Sequence, residues 1–193
     1  MNNSLNVQDL ITTGIFTAIF IIVVFAFGMI GYIPIFMAAL PLLVAIVGGI
    51  PFMLFLTKVK KFGMVTILAF IVGLIMFLSG HTWTPILTFL IFGIIADFIF
   101  KSGSYRSRRM SILGYGVFCM ASIGNMLPMW IMKETWVAQM TSQMGAEYIN
   151  SVIWMVQDWV FVVLLISAFV GGIVGAYIGE KVLDKHFKKA GFA

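Results

Sequence analysis

The chain has 193 residues, of which 62% are hydrophobic and only 10% are charged, with a formal net charge of +5. A water-soluble domain carries about 25% charged residues, so this chain has too little polar surface to cover a globule in water. The composition excludes a soluble globular protein and predicts a single integral membrane domain over residues 1–193, and the basic excess indicates membrane topology rather than nucleic-acid binding.

Long stretches without charge predict six membrane-spanning helices. No Asp, Glu, Lys or Arg occurs over 10–57, 62–96, 110–132 or 159–179. A spanning helix needs about 20 mostly apolar residues, so the first two stretches hold two helices each, separated at GMIGYIP (28–34) and SGHTWTP (79–85). The predicted helices cover 10–29, 35–56, 62–79, 85–100, 110–130 and 157–180, with an extracellular loop over 131–156. We expect Thr84 to cap the fourth helix and Pro85 to lie in its first turn.

The basic residues predict the orientation of this bundle. With six crossings they fall into three groups on one side: Lys58, Lys60 and Lys61; Lys101, Arg106, Arg108 and Arg109; and Lys181, Lys185, Lys188 and Lys189. Only Lys133 falls on the other side. Cytoplasmic loops hold the excess of Lys and Arg, so both termini are predicted to be cytoplasmic and the turn that contains His81 to be extracellular.

Reactive groups are too sparse to predict an enzyme. The chain lacks paired His ligands, a nucleophile elbow and a phosphate-binding loop, and its one cysteine, Cys119, can form no internal disulfide. No cofactor or metal is expected. The only acid deep in a predicted span, Asp97, is expected to pair with Lys101 one turn later, and a role in proton relay is the minor alternative. Since the helix centres hold no charge, any transport would draw its energy from a partner.

Small residues on two helices indicate close helix–helix approach. In the first helix Gly14 and Ala18 lie four residues apart, which gives a flat face suited to a neighbouring helix in lipid. In the last helix Gly171, Gly175 and Gly179 form one ridge, and Gly172 with Ala176 forms a second. Packing inside the bundle explains the last helix best, whereas for the first helix packing inside the bundle and packing against a partner protein remain equally open.

The two ends of the chain carry a family resemblance. The opening LNVQDLITTGIFTAIF and the closing GAYIGEKVLDKHFKKAG resemble the Trep_Strep branch of the substrate-binding S components of energy-coupling factor (ECF) transporters. The resemblance covers almost the full chain, and KHFKKAG is its most specific element. Many S components carry an A-x-x-x-A pair in the first helix; here Gly14 stands at the first alanine position and Ala18 at the second.

The resemblance implies a function, partners and a location. Proteins of this kind capture a vitamin or related micronutrient outside the cell and deliver it inward together with a membrane coupling subunit and two cytoplasmic ATPases. The implied location is the cell membrane of a prokaryote, and the Gly14–Ala18 face would meet the coupling subunit. Two other hypotheses stay open: a standalone secondary carrier, and a membrane scaffold protein without a ligand.

Polar and aromatic residues on the predicted outer side are the candidate ligand contacts: Tyr32, His81, Trp83, Asn125, Trp130, Trp154 and Asp158. An imidazole can donate or accept a hydrogen bond, an indole can stack on a planar ligand, and a carboxamide inside an apolar helix is costly unless it is paired. Interfacial anchoring is the alternative for the tryptophans, and helix capping for Asp158. The Met-rich segment 135–150 is a candidate short helix over the pocket, and the mixed lining favours a flat, polar heterocycle.

Overall fold

A computed structural model describes residues 4–59 and 61–187, and this part of the chain folds into helices joined by short turns. The α-helices are α1 (Val7–Gly28), α2 (Pro34–Met37), α3 (Leu40–Leu56), α4 (Met64–Leu78), α5 (Thr84–Ser102), α6 (Arg108–Cys119), α7 (Pro128–Ile131), α8 (Lys133–Met144), α9 (Ala146–Val152) and α10 (Asp158–Val182). Three 3₁₀ segments lie at Met29–Tyr32, Met120–Asn125 and Ile153–Val156, and a π-helical turn covers Leu183–Phe187. Lys60, Lys188 and Lys189 lie outside the described residues.

The prediction of an all-helical chain with several apolar helices is confirmed for the residues that the structure describes. Three segments are long and apolar enough to cross a bilayer, namely Val7–Tyr32, Thr84–Ser102 and Asp158–Lys185. The helices α3 and α4 are apolar but shorter. Five of the six predicted spans therefore correspond to apolar helices within the described chain. The exception is the span predicted over 110–130, which is not one continuous helix.

The helix predicted over 110–130 is interrupted. It runs as α6 to Cys119, continues as a 3₁₀ segment, and resumes as α7 at Pro128. Proline has no N–H to donate to the carbonyl four residues earlier, and that carbonyl, of Gly124, instead accepts a hydrogen bond from Thr84 Oγ1 at 2.7 Å. Thr84 is consequently buried and is not the predicted cap, a position that Trp83 occupies; Pro85 lies in the first turn of α5 as expected.

The glycine ridges of α10 pack inside the bundle. A Cβ atom built on Gly171 would lie 2.6 Å from the Leu42 carbonyl oxygen, and one on Gly179 would lie 2.6 Å from that of Gly49. On the neighbouring ridge, a Cβ on Gly172 would lie 2.7 Å from Gly116 Cα in α6. Without a hydrophobic driving force between helices in lipid, such backbone contact is a main source of association, and α10 is accordingly the central helix, between α3 and α6.

The predicted Asp97–Lys101 pair does not form. Asp97 is fully buried, and its carboxylate accepts hydrogen bonds from the backbone N–H groups of Gly63 (2.8 Å) and Thr66 (3.2 Å) at the start of α4. It also accepts from the Thr66 hydroxyl (3.0 Å) and the Tyr105 phenol (2.9 Å). The Lys101 ammonium lies 5.3 Å from the centre of the Phe62 ring instead. A buried carboxylate is used here as the N-terminal cap of another helix, which satisfies orphan N–H groups and complements the helix dipole.

Candidate functional site

A cavity of about 420 Å³ lies at the end of the bundle that carries the 79–83 turn. Its wall is formed by residues of α1 to α6, by the 3₁₀ segments Met29–Tyr32 and Met120–Asn125, by the turn at 79–82, and by α8 and α9. The basic residues Lys58, Lys61 and Arg106, in the turns that follow α3 and α5, lie at the opposite ends of the same helices. We call this space the covered cavity, and it falls within the size range of small-molecule sites.

The cover of the cavity is the segment predicted as an extracellular loop over 131–156, which is largely helical in α8 and α9. Gln139 Nε2 donates to the Gly80 carbonyl at 3.4 Å, and Tyr148 Oη donates to the Gly31 carbonyl at 2.6 Å. The cover is thus bonded to both turns that flank the cavity. Trp136 of α8 is 7% exposed and lines the cavity, so the cover contributes apolar surface as well as closure.

The inner wall is aromatic and sulfur-rich. Phe20 packs edge-on against Phe118 with ring centres 5.8 Å apart, and Tyr115 donates its hydroxyl proton to the Ala45 carbonyl at 2.8 Å. Six methionines contribute, from the 3₁₀ segment after α1, from α2, α4 and α8, and from the turn after the 3₁₀ segment Met120–Asn125: Met29, Met37, Met76, Met126, Met140 and Met144. Thioether side chains adapt their shape to irregular partners, so this wall suits an apolar ligand body.

Two polar atoms in the wall are buried and unpaired. Asn125 Oδ1 and Ser122 Oγ have no hydrogen-bond partner within the described chain, and both residues line the cavity. A buried polar atom without a partner costs about 1–3 kcal/mol, and such atoms are uncommon in folded proteins. A ligand that supplies the missing bonds would recover this cost on binding.

His81 lies at the exposed rim of the cavity. Its Nδ1 is 3.2 Å from the Met76 carbonyl oxygen. Because a carbonyl oxygen can only accept, Nδ1 carries the proton when this hydrogen bond forms, and Nε2 of the neutral ring is then an acceptor. Desolvation lowers the pKa of His81 below its ordinary value, and the Met76 bond opposes this in part. The imidazole is therefore neutral at neutral pH.

The structure separates the candidate ligand contacts into two groups. Tyr32, His81 and Asn125 line the covered cavity. Trp154 and Asp158 line a separate, open depression of about 340 Å³ together with Lys133 and Gln157.

Trp83 and Trp130 line neither space. Trp83 is 49% exposed, and the Trp130 indole donates to the Gln157 carbonyl and packs edge-on against Phe161, with ring centres 5.3 Å apart. Both arrangements are typical of interfacial anchors. Asn125 is the last residue of a 3₁₀ segment rather than part of an α-helix as predicted.

Several cavity residues were not among the predicted contacts: Ser122, Trp136, Gln139, Gln143 and Tyr148. The cavity residues of α8 could have been predicted from their spacing in the sequence. Positions 136, 139, 140 and 143 are three or four residues apart, which places them on one face of a helix. Ser122 carries no such signal, since its burial without a partner depends on where the interrupted helix meets the cavity.

The Gly14–Ala18 face points away from the bundle. A Cβ atom built on Gly14 would meet nothing within 4 Å, and Ala18 is exposed. The adjacent Thr13 and Thr17 are buried, and each hydroxyl donates to the carbonyl four residues earlier. Only 17% of the apolar window of this helix is buried, so α1 has a wide apolar face without a protein neighbour in the monomer.

The fold and the cavity define a helical membrane protein with a partly covered space of small-molecule size. The chain belongs to the Trep_Strep family, described as a hypothetical bacterial integral membrane protein family, whose model matches residues 7–189. Comparisons with curated proteins and with solved structures find no match. The family match confirms the Trep_Strep part of the resemblance.

Proposed function

We propose that this chain is the substrate-capture subunit of an ECF-type importer, which binds a vitamin or related micronutrient outside the cell and delivers it inward. The observation that carries the proposal is the covered cavity, which is partly covered by α8 and α9 and contains unpaired polar atoms of Ser122 and Asn125. The proposed role is non-enzymatic and requires no cofactor, because the ATPase subunits of the complex would supply the energy.

The proposed topology has six crossings and both termini in the cytoplasm of a prokaryotic cell. The clusters around Lys58 and Arg106 lie at the end of the bundle opposite the covered cavity. Since cytoplasmic loops hold the excess of Lys and Arg, the cavity would face outward, as a capture site requires.

The proposed partners are a membrane coupling subunit, two cytoplasmic ATPases and a small-molecule ligand. The exposed Gly14–Ala18 face supports a helix partner, because small residues let another backbone approach closely in lipid. No other part of the proposal depends on this face, so partner docking and ligand capture can be tested separately.

Reconstituted vesicles test the proposal directly. We expect uptake of the molecule recovered from the purified protein to require ATP and all partner subunits. Uptake by this chain alone would favour a standalone secondary carrier. A protein that retains no small molecule and supports no uptake would favour a membrane scaffold.

Alanine substitution in the cavity is expected to weaken ligand binding. Asn125→Ala and His81→Ala should each raise the Kd of the recovered molecule about tenfold, since a hydrogen bond within the complex contributes about 1 kcal/mol or more. Isothermal calorimetry of the protein in nanodiscs measures the change. Trp154→Ala and Asp158→Ala, in the separate depression, serve as matched controls and should leave the Kd unchanged. Equal effects in both groups would place the ligand elsewhere.

Bulk on the α1 face is expected to prevent assembly. Gly14→Leu together with Ala18→Leu should reduce recovery of the coupling subunit and ATP-dependent uptake at least tenfold, because the added side chains hold the partner helix away. The isolated chain should keep its stability, since Gly14 faces open space. Val170→Leu, at an exposed site on α10, is the control. Intact assembly in the double variant would show that docking uses another surface.

A further inference from the structure

We propose that the covered cavity selects an uncharged, largely apolar molecule with one hydrogen-bonding edge that both donates and accepts, such as a hydroxyl, a primary amide or a lactam. This inference rests on the proposed function in that it treats the cavity as the capture site. It differs from the flat, polar ligand that the sequence favoured, because Asp158, the charged residue among the predicted contacts, does not line the cavity.

The cavity wall contains no Asp, Glu, Lys or Arg among the described residues that form it. Lys133 and Asp158 lie in the separate depression. Glu134 and Glu147, on the helices of the cover, are exposed and do not line the cavity. Asp97, the buried acid of α5, accepts hydrogen bonds from the backbone at the start of α4. A charged ligand would therefore enter without a counter-charge.

The energetic consequence is discrimination by charge. Moving an ion out of water into an apolar space is strongly unfavourable unless the ion is paired. The aromatic and methionine wall offers dispersion and apolar contact but no compensating charge. His81 at the rim is neutral at neutral pH and adds a hydrogen-bonding group rather than a charge. A neutral molecule avoids this desolvation cost.

The hydrogen-bonding edge of the ligand is specified by the 3₁₀ segment Met120–Asn125. In a 3₁₀ helix, residues three apart lie directly above one another, so Ser122 and Asn125 present their side chains on the same side, toward the cavity. A hydroxyl and a carboxamide together offer both donors and acceptors. Their unpaired atoms thus form a two-point site that an amide or hydroxyl edge would satisfy.

Matched probes of the same shape and different charge test the inference. The full-length chain in nanodiscs at pH 7 would be titrated with nicotinamide and nicotinate, and with indole-3-acetamide, indole-3-acetate and tryptamine. Native mass spectrometry would identify any molecule retained from the cell. We expect the retained molecule to be uncharged, and we expect any probe that binds to prefer the neutral form at least tenfold.

Three outcomes would overturn the inference: a retained ligand that is an anion or a cation, equal or tighter binding of the charged probes, or a cavity that holds only a lipid acyl chain or detergent. If no molecule is retained and no probe binds, the cavity is not a site for this class of ligand and the inference also fails.

A charge introduced into the wall gives an independent test. Asn125→Asp keeps the shape of the side chain and should reverse the preference, so that tryptamine binds at least tenfold more tightly than indole-3-acetamide. If this variant does not fold, Gln139→Glu places a carboxylate on the cover of the same cavity and should shift the preference in the same direction. An unchanged preference in the folded variant would contradict the inference.

The two proposals fail separately. ATP-dependent uptake of a charged ligand with the partner subunits would keep the proposed function and overturn the inference on ligand class. Preferential binding of a neutral molecule by a protein that supports no such uptake would overturn the proposed function and keep the inference on ligand class.

Discussion

Asp97→Ala is expected to lower the free energy of unfolding by about 3–5 kcal/mol, the largest single effect that we expect for a polar residue. The substitution leaves two backbone N–H groups at the start of α4 and the hydroxyls of Thr66 and Tyr105 without their acceptor. Gly63, at the N-cap position of α4, makes no side-chain capping bond of its own, so no local group replaces the lost carboxylate.

Equilibrium unfolding in mixed micelles, followed by tryptophan fluorescence, measures this loss. Asp97→Asn should cost less, about 1–2 kcal/mol, because a carboxamide oxygen can still accept from the start of α4 while its amide donates to the Tyr105 oxygen. Glu180→Ala breaks an ion pair with the exposed Arg108 and is the matched control, with an expected cost of about 1 kcal/mol or less. Equal losses for Asp97→Ala and Glu180→Ala would contradict the capping role.

The apolar helices could be predicted from the sequence because the bilayer imposes a simple rule on it. A segment in hydrocarbon must satisfy its own backbone and avoid charge, so the charge-free stretches mark the helices. Interactions between distant residues follow no such local rule. The cap of α4 comes from Asp97 on the next helix, and the Gly124 carbonyl that Pro128 leaves without a donor is paired by Thr84, which lies far away in sequence.

The candidate site shows the same division. Asn125 and His81 could be predicted as site residues because a polar side chain beside apolar spans is costly to bury unless it forms a hydrogen bond. Both residues line the cavity. The sequence could not separate the tryptophans that contact a ligand from those that anchor the protein at the membrane interface. Both roles favour tryptophan, and both place it near the membrane surface. Trp136 lines the cavity while Trp83 does not, and this distinction depends on how α8 folds over the bundle.

Gly175→Ala is expected to destabilise the protein by about 3 kcal/mol, because the α3–α10 contact has no room for a methyl group. A Cβ atom at this position would lie 2.7 Å from the Ile46 carbonyl oxygen and 2.9 Å from Ile46 Cα. These are backbone atoms, which no side-chain rotation can move away. Unfolding in mixed micelles measures the loss, and an unchanged stability would show that α3 and α10 are not in contact as described.

Gly14→Ala is the matched control, since it adds the same methyl group to a helix where nothing lies within 4 Å. Alanine favours the helix over glycine by up to about 1 kcal/mol, so this variant should be neutral or slightly more stable. The packing defect of Gly175→Ala should also reach the cavity, because α3 carries the Ala45 carbonyl that accepts the Tyr115 hydroxyl. We therefore expect weaker ligand binding together with lower stability in Gly175→Ala, and neither change in Gly14→Ala.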